Sequence, residues 1–196
     1  MRLLFSLLVA SCAVDVFADP IPEKKAKQTV IAEGDLSKWA PNALYVKAYL
    51  FDHRKGEYGD PLIKNGKFHA GIHPQHTKIL TFAQVSALSK AITGTNPKKG
   101  MSLCHWPHHA FVFFDIQHKP IAHLNICFLC STYGALPVEG LSSNWDLGAI
   151  KKLVAELKLP NFDTEKQWSE FFDESGVSET KDSEQGVAAE SDRAGG

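Results

Sequence analysis

Two apolar runs, Ala110 to Phe114 and Ile121 to Phe128, stand on either side of a short polar stretch, Asp115-Ile-Gln-His-Lys-Pro120. Runs rich in aromatic and β-branched residues read as strands, and so short a connection lets them pair only as an antiparallel hairpin. A lone hairpin cannot hide its apolar side chains, so the rest of the chain must cover it. With Gln117-His118-Lys119 as the loop, Val112 is expected to face Leu124, Ala110 to face Ile126 and His109 to face Cys127. That register gathers Ala110, Val112, Phe114, Ala122, Leu124 and Ile126 on one face. The other face then holds His109, Cys127, Asn125 and His123 with Phe111 and Phe113.

The covering elements follow from spacing. Ala43 to Phe51 is aromatic and aliphatic and stops at Asp52-His53-Arg54-Lys55-Gly56, as a strand would; Leu62 to Gly66 begins a weaker one. Phe82, Val85, Leu88 and Ile92 recur at helical spacing between an N-cap at Thr81 and a stop at Gly94. A second helix is expected from Trp145 to about Leu159, capped by Asn144 and ended by Pro160, and a short third over Thr164 to Phe172. The expected fold is α+β: a small antiparallel sheet of three or four strands with a central hairpin, flanked by two or three helices. It forms a single domain over residues 43–173.

The two ends differ in composition from this core. Residues 1–18 carry a cationic start at Arg2, an apolar run from Leu3 to about Val14, and small residues at Val16 and Ala18, the pattern of a cleaved signal peptide. Leu8-Val9-Ala10-Ser11-Cys12 also matches a lipoprotein lipobox, which would place a lipid anchor on Cys12. The mature chain is expected to be exported, periplasmic or secreted, and no other segment reaches the roughly 18 apolar residues of a transmembrane helix. Residues 19–42 read as a linker, with two prolines and a lysine cluster before Gly34. Residues 174–196 read as a disordered acidic tail, too poor in apolar side chains to offset ordering entropy. Lys and Arg total 21 against 22 Asp and Glu, so no global positive field recommends a nucleic acid as partner.

Chemistry-bearing residues converge at one end of the hairpin. Cys104 precedes one strand, Cys130 follows its partner, and His109 and Cys127 share a face in the expected register. Thiolate and imidazole are the donors zinc prefers, and Cys-x-x-Cys is a usual ligand spacing, so Cys104, His109, Cys127 and Cys130 form a candidate Cys3His site for zinc or another thiophilic metal. In a continuous strand Cys127 and Cys130 would lie about 10 Å apart on opposite faces, so joint chelation needs a turn after Cys127, where no glycine eases one. Two alternatives stand beside the metal: a disulfide from Cys104 to Cys127 or Cys130, as in an interaction module stabilised that way, and inert core thiols. Ser131 stands where haem attachment needs histidine, and no helix follows Cys130 at once to lower a thiol pKa.

Cys104-Pro107-His109 followed by Cys127-Phe128-Cys130 resembles the Cys-x-x-Pro-x-His and Cys-Phe-x-Cys elements of a group of exported bacterial proteins, over about Cys104 to Tyr133. The resemblance implies no activity. It favours His109 over His105 and His108 as the fourth ligand.

Elsewhere, His69, His73 and His76 surround Gly71 and Pro74 and read as exposed loop histidines; His53 and His118 sit in turns and are expected to face solvent. Asp52, Glu57, Asp60 and Asp115 also lie in turns, where solvation accounts for them. Gly-x-Ser-x-Gly, His-Glu-x-x-His, Walker-A and Gly-x-Gly-x-x-Gly patterns are missing, so no catalytic residue is assigned. A thiol-dependent redox or hydrolytic enzyme using Cys104 or Cys130 with His109 is the remaining enzymatic alternative.

Overall fold

The computed structural model describes residues 36–94, 103–139 and 141–175. The expected signal peptide, the lead-in up to residue 35 and the tail from residue 176 lie outside the described residues. The strands are β1 (Tyr45–Phe51), β2 (Ile63–Lys64), β3 (Lys67–Phe68), β4 (Ile72–Ile79), β5 (His109–Phe114), β6 (Pro120–Cys127) and β7 (Thr132–Leu136). The helices are α1 (Leu36–Trp39), α2 (Phe82–Thr93), α3 (Leu147–Glu156) and α4 (Glu165–Glu174). Five strands form one antiparallel sheet in the order β4-β1-β5-β6-β7, and β2 pairs with β3 separately, so the fold is α+β.

The sheet is wider than expected because both edge strands are weakly marked. β4 contains Pro74, which an edge strand tolerates because one row of its N–H groups has no ladder partner. Its pairing slips between Thr77 opposite Tyr49 and Ile72 opposite Phe51, so His73 to His76 bulge out of the ladder. Thus His73 and His76 belong to a strand, not a loop. β7 is short and contains Gly134, and it forms only because the chain doubles back after Cys127.

The central hairpin forms with its register displaced by one residue. Near the loop Phe114 faces Pro120, but beyond an irregularity Phe113 faces Ala122, Phe111 faces Leu124 and His109 faces Ile126. Ile121 is the extra residue, a bulge beside a proline that has no N–H to give the ladder. A one-residue slip exchanges the faces of one strand against the other. Phe111 and Phe113 therefore join Ala122, Leu124 and Ile126 under α1, α2 and α3, while Ala110, Val112 and Phe114 pack on the opposite face with Tyr49, Phe51, Leu62 and Ile63. Every residue of β5 is buried, so alternation within that strand carries no information about which face is the core.

The helices close the fold. Thr81 caps α2 as expected, and the structure adds a reciprocal capping box with Gln84. The cap of α3 is Asp146, whose carboxylate accepts from the Ala149 N–H, rather than Asn144. Leu36, Trp39 and Ala40 are buried in the main core, so the folded domain begins inside the segment expected to be linker. α4 runs to Glu174, and Trp168 and Phe172 pack with Leu50 at the end of β1. Among the described residues no helix is long and apolar enough to cross a membrane.

Candidate functional site

The three core cysteines meet, but not as a ligand set. Cys104 and Cys130 are joined in a disulfide with their Cα atoms 5.7 Å apart, and Cys127 is a free, fully buried thiol. The chain does turn after Cys127, over Phe128-Leu129-Cys130, and Ser131 at φ 51° takes the left-handed conformation that a glycine would otherwise supply. This turn aims the Cys130 N–H at the Cys127 Sγ, 3.2 Å away. Burial raises the Cys127 thiol pKa, with hydrogen bonds from the backbone of Cys130, Trp106 and Leu129 and from the Thr132 side chain opposing it. A buried thiol held protonated is the reverse of an activated nucleophile.

The expected Cys3His set is corrected on two counts. Disulfide sulfurs are not thiolates, so in this state Cys104 and Cys130 are unavailable to a metal. His109 also points away from Cys127, because the displaced register pairs it with Ile126 on the helix-covered face. There its Nε2–H donates to the Pro160 carbonyl at 2.8 Å, its ring meets Phe128 and Trp168 edge-on, and its Nδ1 is buried with no partner. Burial pushes its pKa down to about 4, against the opposing effect of the Pro160 bond.

A different trio is assembled one residue away. His53 follows β1 in a 3₁₀ turn that Asp52 caps by accepting the Arg54 N–H; His108 immediately precedes β5; Glu165 is the first residue of α4, after the N-cap Thr164. One ligand atom from each lies within 4.8 Å of the other two. His53 Nε2 is 3.4 Å from Glu165 Oε1, and His108 Nε2 is 3.8 Å from Glu165 Oε2. Two donors bound to one tetrahedral zinc through 2.0–2.1 Å bonds lie roughly 3.3 Å apart, so small side-chain movements bring this set onto one ion. Glu165 Oε2 and His53 Nδ1 are buried without a hydrogen-bond partner.

The surroundings keep both imidazoles of the trio neutral. The His108 ring is stacked on Trp168, with centroids 4.1 Å apart and planes 9° apart, and burial pushes its pKa down to about 2, with the neighbouring His53, His109 and Arg54 adding to the effect. Burial also lowers the His53 pKa, opposed by Asp52. Both imidazoles are therefore neutral near pH 7, as ligation requires. Burial raises the Glu165 carboxyl, against the nearby Arg54 charge. That charge is engaged: Arg54 forms a two-bond fork with Asp52, at 2.9 Å each, and reaches Asp173 on α4 at 2.9 Å. Burial alone would raise the Asp52 carboxyl, but its bonds from Arg54 hold it below the usual carboxylate range.

The remaining histidines divide differently from expectation. His69 and His73 are buried rather than exposed; His69 Nδ1 accepts the Gly71 N–H at 3.0 Å, and His73 packs against His76 and Phe171. His53 is largely covered rather than solvent-facing, its ring beside Trp106 and His108. Sequence reasoning read His53 as a solvent-facing turn residue, passed over Glu165, and set His108 aside in favour of His109. Positions 53, 108 and 165 share no local motif, and only the meeting of β1, β5 and α4 brings them together.

A scan against protein-family models finds no match to this chain, and searches of the curated proteins and of the solved structures find none either.

Proposed function

We propose that this is an exported, disulfide-stapled metal-binding protein whose site is His53, His108 and Glu165, taking a borderline divalent cation, Zn2+ above all. The observation that carries this reading is the convergence of two neutral imidazoles and one carboxylate, one ligand atom from each, within 4.8 Å. Two histidines and a glutamate make a known zinc donor set, which leaves a fourth position for water or a further ligand. Glu165 is about one-third exposed while both histidines are covered, so an ion would enter past the carboxylate. The Asp52–Arg54–Asp173 bonds brace the turn bearing His53 against the helix bearing Glu165, the kind of outer support that orients metal ligands. The Cys104–Cys130 disulfide suits the oxidising compartment that the expected signal peptide implies.

Calorimetric zinc titration of the oxidised protein tests the reading. One equivalent should bind to the wild type, and His108→Ala and Glu165→Gln should each weaken binding by 10-fold or more. A wild type that takes up no zinc, or variants that bind as tightly as it does, would refute it.

A further inference from the structure

Apart from the histidine–glutamate trio, one corner of the sheet holds three sulfurs, two joined as Cys104–Cys130 and one free at Cys127. We infer that reduction of the Cys104–Cys130 disulfide turns Cys104, Cys127 and Cys130 into a three-thiolate site for a thiophilic cation. The inference rests on how the chain is already shaped around the sulfurs. Cys127-Phe128-Leu129-Cys130 is a closed turn that places the Cys130 N–H against the Cys127 sulfur at 3.2 Å and leaves through Ser131 at φ 51°. A neutral thiol is a weak acceptor and gains little from such a donor, whereas a metal-bound thiolate is oriented and stabilised by it. The disulfide itself places the Cys104 sulfur against Cys130, on backbones 5.7 Å apart at Cα.

The Cys104 segment is anchored independently of the disulfide. The Thr132 hydroxyl donates to the Cys104 carbonyl at 3.2 Å and meets His105 Nδ1 at 2.8 Å, while Thr132 pairs across the ladder with Cys127. Breaking the sulfur–sulfur bond therefore leaves all three cysteines tethered in one corner. Thiolates bound to a tetrahedral zinc through bonds of about 2.3 Å lie roughly 3.8 Å apart, a separation the opened pair reaches by side-chain rotation. The chemistry balances with a dithiol reductant: it delivers two electrons and two protons to the Cys104–Cys130 bond and becomes a disulfide itself. The cation then displaces one proton from each of the three thiols. A small-molecule disulfide reverses the sequence: it takes two electrons from the Cys104 and Cys130 thiolates and becomes a dithiol, Cys127 regains its proton and the ion is expelled, so the site is occupied only in the reduced protein.

Co2+ is the probe, added anaerobically to the full chain carrying Cys12→Ser so that the core cysteines are its sole thiols. Reduced protein should develop a thiolate-to-cobalt charge-transfer absorption that saturates at one equivalent, persists in His108→Ala and is missing from oxidised protein. Cys127→Ser should abolish it. A reduced protein without that absorption, or an undiminished band in Cys127→Ser, would overturn the inference. Should Cys127→Ser not fold, proton release decides. Zn2+ added to reduced His108→Ala should liberate about three protons per ion near pH 7, and release of none overturns the proposal. Zinc binding by the oxidised protein is read separately, so failure of one site leaves the other standing.

Discussion

His109 is wholly buried on the helix-covered face of β5, and its imidazole stays neutral down to about pH 4 against an ordinary value of 6.5. Between those values the unfolded chain binds a proton that the folded chain refuses, so stability falls as pH drops from 6.5 towards 4 and is fully present above 6.5. His109 alone accounts for about 3 kcal/mol of this slope. Its neighbours are the Pro160 carbonyl, the rings of Phe128 and Trp168, and His108, itself neutral. Burial lowers the His69, His73 and His123 pKa values in the same direction. Urea unfolding of metal-free protein at pH 7 and pH 4.5 should show the loss, and His109→Leu should flatten the slope; an equal slope in the variant would place the titration elsewhere. Residue identity alone did not reveal this. His53, His69 and His73 sit in polar stretches, yet His53 is covered by Trp106 and His108, His73 by Phe171 and His69 by Phe51, and a side chain's solvation depends on what packs over it.

At the scale of elements, α4 joins the core to the candidate site. Its apolar positions Trp168, Phe171 and Phe172 were legible from their spacing, but not where they land: Trp168 stacks on His108 and packs with Leu50, so Glu165 at the head of the same helix meets the two histidines. Trp168→Ala should cost about 3–5 kcal/mol of stability and weaken zinc binding by more than 10-fold. Leu88→Ala on α2, a core truncation remote from the trio, should destabilise while leaving zinc affinity close to the wild type. Equal losses of affinity in both variants would show that α4 has no special role. The disulfide ties the approach to β5 to the turn after β6 over a sequence separation of 26 residues. Its removal in Cys104→Ala/Cys130→Ala should lower stability by about 3.5 kcal/mol on loop-closure entropy, measured by chemical denaturation without reductant. The hairpin was readable as an element and its register was not, because Ile121, beside Pro120, slips out of the ladder and burial of every β5 residue removes the alternation that would have shown the slip.

For the whole molecule, export remains a proposal from the sequence. Intact mass of the protein from its native compartment should correspond to a chain beginning at Asp19; a diacylglycerol adduct on Cys12 would support the lipoprotein alternative instead. The sequence by itself determined the α+β class, α2 with its cap, the central hairpin and the gathering of the three core cysteines in one corner. Each of these depends on local periodicity, capping chemistry or position on a single hairpin. The tertiary structure decided the five-strand order with its two weakly marked edges, the face that each residue of β5 presents, and the pairing of Cys104 with Cys130. It also decided the meeting of His53, His108 and Glu165. These depend on contacts between segments far apart in the chain, where burial on both sides removes the alternation that would reveal a face, and where the donors of a site come from three elements sharing no spacing rule.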